Sequence, residues 1–151
     1  MKKMILFLLG LIPFVLGFLM NSWLMQNQNS ILPFKLIGII FLVFWVLVGF
    51  ITCKFEKTPL KSAVIINLPA FLILLFIMYQ EIILGQYWFN IFGMATQFYY
   101  LPLLNISSSL VGIFLSLTPW ATQIWSASLI AFLLMFASYY LGCYLKKRLS
   151  K

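Results

Sequence analysis

Acidic side chains are nearly missing from this chain. Of its 151 residues only Glu56 and Glu81 are acidic, against ten Lys and Arg, and 64% of the chain is hydrophobic. A soluble domain carries about a quarter of its residues charged. This chain carries 8%, so water is not the solvent for most of its surface. Histidine and aspartate are absent altogether. With no histidine and no C-x-x-C pair there is no donor set for a metal site, and without aspartate no paired-aspartate chemistry. Cys53 and Cys143 each end an apolar run close to Lys or Arg and read as reduced apolar fillers on the cytoplasmic side. No cofactor is implied.

What the chain has in abundance is long apolar runs. Crossing about 30 Å of hydrocarbon takes roughly 20 helical residues, and several stretches supply that. The fold class expected is an all-α integral membrane protein, one membrane domain over residues 1–151 with four transmembrane helices. Those spans fall at about 4–25, 36–53, 59–84 and 119–145. The N-terminal run follows Lys2 and Lys3 but has no small-x-small cleavage site, so it reads as a retained span rather than a signal peptide. Basic residues sit in short clusters beside apolar runs, which fits anionic headgroups and topology signals and speaks against nucleic acid as a partner.

Local signals refine these spans. Pro13 removes a backbone hydrogen bond near the middle of the first span and predicts a kink. The polar run from Gln26 to Ser30 reads as a loop. The second span is apolar on every face and offers no chemistry of its own. Thr58-Pro59 and Thr118-Pro119 each pair a capping hydroxyl with proline at the first helical position, marking two helix starts. Trp120 and Trp125 mark one interface of the last span, and Tyr139, Tyr140 and Tyr144 the other. On that span Ala127, Ala131, Met135, Ser138 and Gly142 share a face of mostly small residues, suited to close helix approach.

Residues 86–117 are expected to form an outer helical hairpin, interfacial or re-entrant. Gln86, Asn90, Gly93 and Gln97 are spaced as one polar stripe among Tyr87, Trp88, Phe89, Phe92, Phe98 and Tyr99. Beyond Pro102, the stretch from Ile106 to Leu117 is about 18 Å of helix, too short to span. With four spans and both termini cytoplasmic, nine of the ten basic residues lie inside and only Lys35 outside, as the positive-inside rule requires. Five spans would put the C-terminal cluster outside. Six, the second-ranked count, would need a cytoplasmic turn with no basic residue.

The polar residues that could carry function are Glu81, Lys35, Gln80, Asn67, Gln86, Asn90 and Gln97. Glu81 lies about 33 Å along its helix from Pro59, at the outer interface. There a structural pair with Lys35, or hydration, explains it at least as well as proton coupling. Asn67 with Pro69 fits a broken helix lining a polar path, or a kink satisfied by a neighbour. Ser107, Ser108 and Ser109 have no histidine, acid or lysine nearby in sequence to activate a hydroxyl. No aspartate pair of a lipoprotein signal peptidase, cysteine pair of a quinone-linked thiol oxidoreductase, or first-span acid of a small multidrug transporter is present. The function expected is a non-enzymatic accessory, regulatory or scaffolding subunit of the plasma membrane. Its partners would be the bilayer and another membrane protein or a second copy. The alternative is a small oligomeric transporter, channel or lipid-handling protein using Glu81 and the polar stripe.

Overall fold

The apolar runs become helices because a chain in hydrocarbon must satisfy its backbone groups internally. A computed structural model of the chain describes residues 2–29, 31–86, 88, 90–115 and 123–149. Among these residues it is all-helical: α1 Lys2–Leu9, α2 Ile12–Gln26, α3 Phe34–Thr52, α4 Pro59–Ile66, α5 Leu68–Met78, α6 Ile91–Leu115 and α7 Ile124–Leu149. A 3-10 turn, Cys53–Phe55, ends α3, and a π-helical turn, Tyr79–Ile83, ends α5. Three helical stretches, Lys2–Gln26, Phe34–Phe55 and Ile124–Leu149, are long and apolar enough to cross a membrane. The α4–α5 pair passes the same test together but is bent by 52°.

Both breaks sit where proline removes a donor. Pro13 falls in the first turn of α2, so the carbonyl of Leu9 has no helical partner and the ladder reforms with Phe14 N–H on Leu11 O at 3.1 Å. Pro69 does the same in the first turn of α5. Thr58 Oγ1 accepts from Lys61 N–H at 3.3 Å, and Pro59 opens α4, the cap-then-proline start read from sequence. The second such start, Thr118-Pro119, lies outside the described residues, as do Trp120, Tyr87 and Phe89.

Residues 91–115 depart from the expected two-part hairpin. They form one helix, α6, with Pro102 inside it. Proline in a helix interior leaves the carbonyl four residues back unpaired, here that of Phe98. The backbone of Gly17 on α2 lies against this same carbonyl, so close that a Cβ would come within 1.7 Å of the oxygen. A neighbouring backbone thus covers the polar group that proline frees, which lets the helix continue. α6 packs against α2, α3, α5 and α7. Gln86 and Asn90 both precede this helix, so of the expected polar stripe only Gly93 and Gln97 lie on it.

The main seam joins α3 to α7. Gly142 of α7 faces the Val46 carbonyl and Gly49 of α3 faces the Tyr139 carbonyl, each with no room for a Cβ. Ala127, Ala131, Met135 and Gly142 are buried on α7, while Ser138 is half-buried. The three tyrosines expected to mark one interface differ in burial, and Tyr139 stands apart from the other two. It is fully buried, whereas Tyr140 and Tyr144 are exposed.

Candidate functional site

The groups with chemical potential gather at three levels of the helical bundle. At the C-terminal end of α5, the π-helical turn displaces the chain so that adjacent side chains take different tasks. Glu81, half-buried, accepts from Ile124 N–H at 3.0 Å and from Trp125 N–H at 2.5 Å, the first two amides of α7. A carboxylate there satisfies donors with no intrahelical partner and complements the positive end of the helix. Gln80 is fully buried, and its Oε1 accepts from Trp88 N–H at 3.0 Å, holding the connection to α6. Its Nε2 has no partner among the described residues. Phe76 and Trp88 meet edge-on at 5.5 Å beside it.

Lys35 is not brought to Glu81. It stands exposed in the first turn of α3 and makes no ion pair with the carboxylate among the described residues. The partner of Glu81 is instead the start of α7, for a plain physical reason: two backbone donors at a helix end are fixed in place, while a lysine must give up side-chain freedom to pair. Of the remaining polar residues, Gln86, Asn90 and Gln97 are exposed. Asn90 Oδ1 accepts from Gly93 N–H at 3.0 Å, which makes it the cap of α6.

At the middle level the two helix breaks touch. Gly10, between α1 and α2, lies against the Ile66 carbonyl at the end of α4, again with no room for a Cβ. Two tyrosines of α6 join them: Tyr99 Oη donates to Gly10 O at 2.5 Å and Tyr100 Oη to Ala70 O at 2.6 Å. Both rings are buried and meet edge-on at 5.2 Å. The sequence reading missed this pair. The sequence carried no signal for it beyond the need of a buried tyrosine hydroxyl for an acceptor: the carbonyls that Pro13 and Pro69 free are those of Leu9 and Ile65, whereas the acceptors are Gly10 and Ala70. Asn67 marks the second break as expected. It is buried, its Nδ2 donates to Ala63 O at 2.9 Å, and its Oδ1 has no partner among the described residues.

At the third level, near the α3–α4 connection, Tyr139 Oη lies 2.7 Å from both Thr52 Oγ1 and Ser62 Oγ. Thr52 donates its only proton to Val48 O at 2.7 Å, so Tyr139 donates to Thr52 and Ser62 donates to Tyr139. This one-way chain from α4 through α7 to α3 ends on a backbone carbonyl. No hydroxyl in it keeps a proton or an adjacent base for nucleophilic chemistry. Cys143 Sγ, beside it, donates to Gly49 O at 3.2 Å, and both cysteines are free thiols. Ser107 and Ser109 donate to carbonyls one turn back, Leu104 O and Asn105 O.

The cavities are largely apolar. One of about 390 Å³ lies between α2, α3 and α6 along Leu16, Met20, Ile40, Phe44 and Pro102. Another, of about 220 Å³, lies between the α4–α5 break and α7 along Asn67, Phe71, Phe132 and Phe136. Glu81 lines neither, nor the cavities beside Asn105 and Thr96. No cluster of metal-ligating side chains occurs among the described residues. Compared with known proteins, the chain matches no family model, no curated protein and no solved structure.

Proposed function

We propose that this chain is a four-span membrane protein acting as a non-enzymatic accessory, regulatory or scaffolding subunit through helix contacts. One observation carries the reading. The acid and the buried hydroxyls that could have done chemistry are engaged in joining helices: Glu81 with α7, Tyr139 with α3 and α4, Tyr99 and Tyr100 with the two breaks. The bent α4–α5 pair counts as one span in this reading, with both termini cytoplasmic in the plasma membrane. α6 then stays on the outer side and dips inward at its tyrosines. Gly10 supports that depth, lying about 12 Å along its span from Lys2.

A second reading, lipid handling, is favoured by the apolar cavity of about 390 Å³ between α2, α3 and α6. Proteoliposome flux separates accessory from transport roles. Vesicles holding the protein should release protons, sodium or potassium no faster than empty ones. Flux that disappears in Glu81→Gln while the protein still folds would sink the accessory reading. Orientation is open to cysteine labelling of intact cells. Asn27→Cys should react from outside and Lys151→Cys should not.

A further inference from the structure

The connection between α3 and α4 carries Lys54 and Lys57, and the first turn of α4 carries Lys61, all exposed. The end of α7 carries Lys146, Lys147 and Arg148, about 90 residues away in sequence, and folding brings the two groups side by side. Lys147 Nζ donates to Lys57 O at 2.5 Å, and Lys146 Nζ stands over the Phe50 ring at 4.8 Å. A third group joins them. α1 packs along α4, and Gly10, just past the end of α1, meets Ile66 at the end of α4. The two helices therefore run parallel, and exposed Lys2 and Lys3 share an end with Pro59. Eight basic residues thus occupy one end of the bundle, with Glu56 as the one acid there.

Such a concentration of like charge is self-repelling and calls for anions from outside the chain. At the end of a set of apolar helices, the phosphates at hand are those of the bilayer surface, and a basic cluster there attracts them. We propose that this end binds anionic phospholipid headgroups, with preference for a lipid bearing two phosphates. The preference follows from the two cationic groups held together by Lys147 and Lys57: each takes one phosphate, and tethering the phosphates on one molecule raises their effective concentration. The inference goes beyond the accessory reading and holds whether that reading stands or falls.

The test is thermal unfolding of the full chain in neutral detergent with added lipid at matched phosphate. Cardiolipin should raise the midpoint by about 5 °C, phosphatidylglycerol by less and phosphatidylcholine not at all. Inorganic phosphate at the same concentration should give no shift, and about 0.5 M salt should remove the cardiolipin effect by screening. The double variant Lys54→Gln/Lys57→Gln should lose the cardiolipin excess, while Lys35→Gln at the other end keeps it. Equal shifts from cardiolipin and phosphatidylglycerol overturn the two-phosphate preference. Equal shifts from phosphatidylcholine or free phosphate, or an unchanged response in the double variant, overturn the site.

Discussion

Along the seam between α3 and α7, backbone meets backbone. Gly49 lies against the Tyr139 carbonyl, Gly142 against the Val46 carbonyl, and a directed chain of hydroxyls ties in α4. At the N-terminal end of the same α7, attachment rests on the two oxygens of Glu81, which is half-buried. In hydrocarbon, helices gain little by leaving lipid for each other, so close packing and satisfied polar groups must hold them. The seam has both, and its contacts are out of reach of salt. The Glu81 contact lies where water can compete, and such contacts are weaker. Stability therefore belongs to the α3–α7 seam and adjustability to the start of α7.

The largest effect expected is at the seam. Gly142→Leu should cost about 3 kcal/mol in detergent unfolding, and Gly49→Ala about 1 to 3, because neither backbone can yield to a Cβ without separating the helices. Gly112 is the control: nothing lies within 4 Å of the point a Cβ would occupy there, so Gly112→Ala should gain about 0.5 kcal/mol from helix propensity. A similar loss at all three would remove the seam's special status.

Next comes the hydroxyl chain. Tyr139→Phe deprives Ser62 of its acceptor and Thr52 of its donor, and should cost about 1 to 3 kcal/mol. The triple change with Ser62→Ala and Thr52→Val should recover part of that loss, since no polar atom is then left unpaired. A fully additive triple variant would show that the three hydroxyls do not act as a unit.

The smallest loss is expected at Glu81. Glu81→Gln should cost about 1 kcal/mol, less at high salt, since the amide can still accept but carries no charge for the helix end. The charge swap Glu81→Lys with Lys35→Glu sharpens the contrast further. Its stability should equal the sum of the two single losses, because Lys35 is not the partner. Restoration by the swap would return the ion pair to the account.

The regions differ as much in how well they could be read from sequence. The α7 stripe was visible because Ala127, Ala131 and Gly142 recur at helical spacing among larger residues. Its complement on α3 was not, because a helix apolar all round gives no sign of which face is buried, and Gly49 is only one small residue in it. The breaks at Pro13 and Pro69 followed from local chemistry. The role of Glu81 did not, since its partners are backbone amides 43 and 44 residues further on, and backbone donors leave no mark in a sequence.

Composition and local covalent chemistry determined a helical chain built for hydrocarbon, with apolar spans, a basic end, proline breaks and the cap at Thr58. These follow from solvation and backbone geometry, which each residue carries with it wherever it lies. Only the tertiary structure decided that Tyr99 and Tyr100 join two breaks, that Pro102 sits within a continuous α6 against Gly17, and that Glu81 holds α7. Each of those depends on which carbonyl or amide a side chain meets from a distant segment, and that is fixed by packing.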